Sequence, residues 1–319
     1  MYEELYEKLP DANRYWEKLG LSRPEAPLAK DDLDRIIFAH QCRIPFENLD
    51  VCDFHRPIKL GIPDLFEKII VGNRGGYCFE LNALLDALLQ DAGVETMPCL
   101  GRSLKDRGYV YPILHRGIIV TLGDGRYIAE VGYGGPTPAC ALPLVDGAEL
   151  ESRGQVFRVE LHDGGWWHVI YCGTAAKLAA AQERGETVAP TPVFALLDAP
   201  AALTDCIPLS YYCSTHPDSV FTQWRMVNRR TEDGNVSITK DQFVRVTPKR
   251  GRSRRRMSTV RCWRNFSVSC CPLSLCGRRG QSPTPFAQAA DMLGGSFKHG
   301  KRLAGSFACE APAFLMGLG

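Results

Sequence analysis

Cys78 stands in the run Arg74-Gly75-Gly76-Tyr77-Cys78-Phe79-Glu80-Leu81-Asn82, directly after two glycines that let the chain turn tightly. Leu81, Leu84, Leu85, Leu88 and Leu89 then keep helical spacing, and Gly93 supplies a stop. Cys78 is therefore expected in the first turn of a buried helix, whose positive end favours the thiolate. A thiolate is the form of cysteine that attacks a carbonyl carbon. The competing reading is a small buried hydrophobe, so a histidine partner has to be found before the cysteine means chemistry.

Of the seven histidines, His115 is the best candidate, because it opens the apolar strand pattern Ile118-Ile119-Val120. A tight turn at 123–125 follows, and then Tyr127-Ile128-Ala129-Glu130. His115 and Glu130 are expected to pair across the resulting hairpin ladder. A carboxylate on one ring nitrogen would aim the other at Cys78 and stabilise the imidazolium. Nucleophile, base and orienting acid are thus Cys78, His115 and Glu130.

The elements that must position them read as follows. Asp11 caps a first helix carrying Tyr15, Trp16 and Leu19, with Gly20 as its stop. A second begins near Asp31 or Asp32 and ends before Pro45. On its apolar side His40 is expected as a hydrogen-bonded core residue. Pro63 opens a third helix with Leu65, Phe66, Ile69 and Ile70 inward, and the Cys78 helix is the fourth. Between the second and third lies the polar stretch 44–50. Its acids need a buried partner, and Arg74 is expected to clamp Glu47 or Asp50 and fix the nucleophile loop. From 94 onward the period becomes that of strands, at 94–104, 109–122, 126–132, 155–161 and 166–172. Short turns between them point to an antiparallel barrel rather than alternating β-α units. An Ala-rich helix spans 174–183, and 193–247 mixes helical and strand signals.

The chain has 319 residues, 13 cysteines and a net charge of +2. It lacks the opening pattern of a secretion signal and any apolar run of membrane-spanning length. A cytoplasmic protein with free thiols is expected. The small net charge hides a division, because residues 248–319 carry thirteen Lys or Arg against only Asp291 and Glu310. The residues before them are net acidic.

Residues 44–50, 74–82, the His115 strand, 130–135 and 214–221 occur in the order and rough spacing of the arylamine N-acetyltransferases, which the chain resembles over about residues 5–247. The resemblance implies an α+β fold: a helical bundle at 1–93, an antiparallel β-barrel at 94–192 and an α/β lid at 193–247. A cysteine-protease-like catalytic core would lie between the first two. It implies acetyl-CoA as co-substrate, no metal, and acetyl transfer to arylamines and arylhydrazines through an acetyl-Cys78 intermediate. It places Phe46 and Tyr133 in the substrate pocket, and Gly132, Gly134, Gly135, Thr215 and Ser219 near the cofactor, with His216 in the same lid segment. The glycines read equally as a strained barrel corner. Two departures stand out. The family usually has aspartate where this chain has Glu130, which is one methylene longer. It commonly has phenylalanine where this chain has Tyr133, whose hydroxyl would favour more polar amines.

Two other enzymes fit the same triad: an amide synthase with a more open pocket, and a papain- or transglutaminase-like thiol hydrolase. A third reading is a catalytically impaired homologue whose basic tail, with Arg252, Arg254, Arg255, Arg256, Arg261, Arg264 and Trp263, contacts nucleic acid. Nucleic acid is otherwise not an expected partner, and neither is a membrane. Cys262, Cys270, Cys271, Cys276 and Cys309 in that tail lack paired zinc spacing. The change of composition after Thr247 has the character of out-of-frame translation beginning near 247–250. A genuine tail of that composition would be mostly disordered.

Overall fold

The computed structural model describes residues 1–104, 110–123, 125–239, 242–247 and 251–256. Helix α1 (Ala12–Leu19) begins where the Asp11 carboxylate accepts the Arg14 N–H at 3.0 Å and ends at Gly20, in the left-handed region at φ +65°. Helix α2 (Lys30–Arg43) buries Leu33, Ile36 and Ile37. The polar stretch 44–50 forms a short strand, β1 (Phe46–Glu47), and enters one helical turn, α3 (Leu49–Cys52). Helix α4 (Ile62–Leu65) runs into a π-helical segment, Phe66–Val71, where a single α-helix was expected. Leu65, Phe66, Ile69 and Ile70 are all buried.

Helix α5 (Cys78–Asp91) is the centre of the molecule. Nearly every residue from Cys78 to Leu89 is buried, polar ones included, because the helix is enclosed on all sides and not laid on a surface. It packs against α1, α4 and the first two strands of the barrel sheet.

That sheet comprises β2 (Glu95–Ser103), β3 (His115–Leu122), β4 (Gly125–Ala129), β5 (Leu142–Pro143), β6 (Glu149–Ser152), β7 (Gln155–His162), β8 (Trp166–Thr174) and, after helix α6 (Ala175–Glu183), β9 (Thr191–Leu197). Its order is β5-β4-β3-β2-β9-β8-β7-β6, antiparallel throughout, curled into a nearly closed barrel. Ile119, Ile128, Phe157, Val169, Phe194 and Leu196 fill it. The barrel therefore extends to Leu197, past the boundary expected at 192. The apolar run from Val193 is an interior strand buried between two neighbours.

Helices α7 (Cys206–Thr215) and α8 (Val220–Gln223) precede the strands β10 (Met226–Thr231), β11 (Gly234–Thr239), β12 (Gln242–Thr247) and β13 (Gly251–Arg256). These four extend β1 into a second sheet in which Phe46 faces Asn228 and Glu47 faces Val227. The first strand after Gln223 thus pairs with Phe46–Glu47, and Phe46 is in turn bridged to Gly76. Residues 251–256 pair with β12 and so continue the sheet beyond Thr247. The rest of the basic tail, 257–319, lies outside the described residues.

Candidate active site

Cys78 is the first residue of α5 and His115 the first of β3. Both are buried; the Cys78 thiol lies 3.9 Å from the Leu114 carbonyl, and His115 acts electrostatically on it. His115 Nε2 and Glu130 Oε2 are 2.8 Å apart, with the Glu130 side chain fully enclosed. The pairing is not made across a ladder. The register sets Ile118 opposite Ala129, and continued one pair at a time it would bring Gly132, not Glu130, opposite His115. Strand β4 ends at Ala129, and the longer glutamate side chain reaches the ring diagonally.

Glu130 is held from several directions. Its Oε1 accepts Asn82 Nδ2 at 3.0 Å and the Gly132 N–H at 2.5 Å. Asn82 also donates to the Arg116 carbonyl at 2.6 Å and accepts the Val131 N–H at 3.1 Å. Gln41 Nε2 donates to the Glu130 carbonyl at 2.9 Å and to the Pro138 carbonyl at 2.8 Å, and Arg230 Nε holds Gln41 from behind at 2.7 Å. One sequence signal could have disclosed Asn82: it follows Cys78 by four residues and so shares its helix face. Gln41 offered none.

The nucleophile loop rests on buried charge. Arg74 Nε donates to Glu47 Oε1 at 2.8 Å and its Nη2 to Asp50 Oδ1 at 3.1 Å. Glu47 also accepts the Gly75 and Leu49 N–H groups, at 3.2 and 2.7 Å. Two further members escaped the sequence reading. Lys68 Nζ is 2.6 Å from Glu80 Oε1 and 2.7 Å from Asp50 Oδ2, while Glu80 Oε2 accepts the Tyr77 N–H at 3.1 Å. Glu80 lies three residues after the helix cap, which is the signal that could have found it.

Burial pushes the Cys78 thiol up, and the hydrogen bond and charge of His115 oppose that shift without cancelling it. For His115 burial disfavours the charged form, yet the Glu130 carboxylate and the hydrogen bonds to Cys78 and Glu130 raise it to about 10. The imidazolium is thus the favoured form of the ring, and the proton is shared within a coupled pair. His40 behaves differently. Burial, then the Lys18 charge, lowers it to about 3, and neither ring nitrogen has a hydrogen-bond partner among the described residues, so the expected hydrogen-bonded core histidine is a buried but unbonded one.

The glycines act mainly in packing. A Cβ on Gly132 would lie 2.7 Å from Cys78 Cα, so only glycine lets the chain after Glu130 approach the nucleophile, and its N–H is spent on Glu130 rather than free for a cofactor. Gly134, at φ +75°, would place a Cβ 2.5 Å from the Phe46 ring. The Gly134 carbonyl accepts Asn228 Nδ2 at 3.1 Å and the Gly135 carbonyl accepts the Thr137 hydroxyl at 2.9 Å.

Tyr133 stands edge-on to His115 with ring centroids 5.5 Å apart, and Phe194 packs against both rings. The Tyr133 hydroxyl donates to the Val193 carbonyl at 2.6 Å and lies 3.0 Å from Ser103 Oγ. These two contacts tie it to the barrel wall. Phe46 is buried beside Phe221. Ser219 caps α8, accepting the Phe221 N–H while donating to the Cys213 carbonyl, and Thr215 donates to the Tyr211 carbonyl. The His216 ring stacks on Tyr212. Among the described residues no group of three His, Cys, Asp or Glu could hold a metal ion, and no helix is long and apolar enough to cross a membrane.

A buried cysteine at a helix start, set against an antiparallel barrel that carries the histidine and carboxylate, is the core of the cysteine-protease-like thiol enzymes. The sequence model of the N-acetyltransferase family matches residues 31–266, running past Thr247, where the resemblance had been expected to stop. The arylamine N-acetyltransferase of Mycolicibacterium smegmatis is 33% identical over 241 residues, covering 72% of this chain and 79% of that one. The arylamine N-acetyltransferase / N-hydroxyarylamine O-acetyltransferase of Salmonella typhimurium is 37% identical over 144 residues, 42% of this chain and 51% of that one. The solved M. smegmatis enzyme superposes with a TM-score of 0.71 at 28% identity, over 84% of this chain and 95% of that chain. The chain belongs to the arylamine N-acetyltransferase family. It is accordingly an acyltransferase, and acetyl transfer to arylamines is the activity this family supports.

Proposed function

We propose that the chain transfers an acetyl group from acetyl-CoA to arylamines and arylhydrazines by a ping-pong route through acetyl-Cys78. The observation that carries this reading is the buried pair His115–Glu130 at 2.8 Å, set beside Cys78 at the start of the buried helix, with His115 acting on the thiol.

With the pair's shared proton on His115, Cys78 is the thiolate, and its sulfur attacks the thioester carbonyl of acetyl-CoA. The carbon–sulfur bond to CoA breaks, His115 returns the proton to the departing thiolate, and CoA leaves. The arylamine nitrogen then attacks the acetyl carbon on Cys78. Its proton passes to His115 as the amide forms and the cysteine sulfur leaves. Glu130 keeps the ring oriented and stabilises the imidazolium in both halves. Phe46 and Tyr133 supply aromatic walls for the amine, and the segment around Gly134, Gly135, Thr215 and Ser219 lies toward the CoA side. A cytoplasmic setting fits, because the eight described cysteines are all free thiols and acetyl-CoA is a soluble donor. The solved Mycobacterium marinum relative was crystallised in complex with CoA, which supports the choice of donor.

The test is release of free CoA from acetyl-CoA on addition of an arylhydrazine, comparing the wild type with Cys78→Ser. Release that needs both Cys78 and the amine is expected. Release that continues undiminished in Cys78→Ser removes the covalent route. Release without amine, accompanied by acetate, would indicate a hydrolase instead.

A further inference from the structure

Behind the nucleophile lies a cluster in which three carboxylates, Glu47, Asp50 and Glu80, face two cations, Arg74 and Lys68. Arg74 serves the turn ahead of Cys78 through Glu47 and Asp50. Of these two cations, Lys68 reaches the helix that carries Cys78, at Glu80 in its first turn. It comes from the π-helical segment Phe66–Val71, an irregularity of the kind that recurs at functional sites. The segment ends in a bond from the Gly72 N–H to the Glu67 carbonyl at 2.8 Å, and the Lys68 carbonyl itself accepts the Arg74 N–H at 3.2 Å. A Cβ on Gly72 would lie 2.7 Å from that carbonyl. Backbone and side chain of Lys68 thus both engage the Cys78 loop.

We propose that Lys68 is a positioning residue for the Cys78 nucleophile: its ammonium holds the Glu80 carboxylate on the Tyr77 N–H, and so fixes the first turn of the helix on which the thiol sits. The inference rests on reading Cys78 as the nucleophile. Glu80 Oε1 takes the ammonium at 2.6 Å while Oε2 takes the Tyr77 N–H at 3.1 Å, so one carboxylate spans cation and helix cap. Glu80 is 1% exposed and has no other cation beside it among the described residues. Burial pushes its carboxyl up and Lys68 opposes this. Without Lys68, Glu80 has two courses. Keeping its charge puts an unscreened negative group two residues from Cys78. Taking a proton weakens its hold on the Tyr77 N–H. Both disfavour the Cys78 thiolate. Glu47 and Asp50 also face Lys68, Glu47 and the Tyr77 N–H face Glu80, and His115, Cys213 and the Arg116 backbone face the Cys78 thiol.

The experiment measures alkylation of Cys78 by iodoacetamide as a function of pH in the full chain, read on the Cys78 peptide by mass spectrometry, beside the melting temperature. Lys68→Met should move the alkylation midpoint upward by roughly one pH unit, slowing modification about tenfold on the acid side, and Lys68→Arg should restore most of it. Where Lys68→Met does not fold, Lys68→Gln, which keeps an N–H donor without the charge, should shift the midpoint the same way by less. A variant that melts lower yet alkylates along the wild-type curve overturns the proposal and leaves Lys68 a structural residue. Because alkylation needs no acetyl donor or amine, this result is separate from whether Cys78 carries the acetyl group, which Cys78→Ser decides.

Discussion

Asn82 stands one helical turn beyond Cys78 and donates to the carboxylate of Glu130 at 3.0 Å. The helix that carries the Cys78 thiol therefore also anchors the carboxylate that meets His115. His115 and Cys78 come from different layers of the fold, yet one helix carries the thiol and holds the partner of the imidazole. Such preorganisation keeps a coupled proton pair within reach of its geometry before substrate arrives.

Asn82→Ala removes that link and leaves the Val131 N–H, the Glu130 carboxylate and the Arg116 carbonyl each one partner short in a buried place. The expected cost is about 2–4 kcal/mol of stability, together with a fall in acetyl transfer beyond what the lost folded fraction explains. Urea unfolding and rates normalised to folded enzyme separate the two effects. Unchanged turnover per folded molecule would assign Asn82 to stability alone.

Glu130→Gln tests the charge of the orienting acid. His115 sits near 10 in the folded chain, above its ordinary 6.5. The stabilisation it brings is therefore complete below about pH 6.5 and is lost as pH rises through about 10. With the carboxylate gone, burial acts unopposed by it and the folded value drops. The variant should lose stability relative to wild type throughout the neutral range, and the two should converge as pH approaches about 10. Melting temperatures taken across that interval read this directly. Acetyl transfer should fall roughly a hundredfold or more, and full rates in Glu130→Gln would end the orienting role.

Much of this arrangement could be read from residue order. Asp11 and Gly20 bounded α1, the leucine spacing gave α5, and the polar stretch around Glu47 and Asp50 demanded a cation that Arg74 supplies at 2.8 and 3.1 Å. The failures have physical causes. The π-helical segment Phe66–Val71 keeps the same apolar residues inside as an α-helix would, so periodicity did not distinguish them. Strand β9 was assigned to the lid because a continuous apolar run carries no alternation when both faces are buried. Glu130 was placed in the ladder because hairpin symmetry cannot foresee that the chain leaves β4 at Ala129. The bond from the Tyr133 hydroxyl to the Val193 carbonyl was not foreseen, because nothing in the sequence shows that this carbonyl lies within reach.

Arg74→Ala should unfold much of the protein at ordinary temperature. Arg74 is largely buried between Glu47 and Asp50, and removing one side of such a cluster costs about 3–5 kcal/mol, since the carboxylates are left without their cation. Lys68 still reaches Asp50 but not Glu47. Denaturant midpoints settle the size, and a soluble variant of wild-type midpoint would refute the clamp. For Asp50 burial acts against the charge, but Lys68 and Arg74 overcome it and hold the carboxyl below its ordinary 3.8. Its contribution is present above that pH and is lost as pH falls through the lower folded value.

Tyr133→Phe separates wall from ligand. The ring packs edge-on to His115, while its hydroxyl is 2.6 Å from the Val193 carbonyl. Substitution should cost about 1 kcal/mol through the lost hydrogen bond, and leave the preference between polar and apolar arylamines where it was. A selective loss of activity toward amines bearing hydroxyl or carboxyl groups would return the Tyr133 hydroxyl to the substrate side. Gly132→Ala should do the opposite. The added methyl meets Cys78 Cα at 2.7 Å and the hydrogen-bonded Asn82 amide at 3.3 Å, which leaves it little room. The barrel must then move off α5, lengthening the contact between Cys78 and His115, and turnover should fall toward all amines alike, with about 1–3 kcal/mol of stability lost to overpacking. Steady-state rates with three amines of different polarity, measured in both variants, distinguish a uniform loss from a selective one.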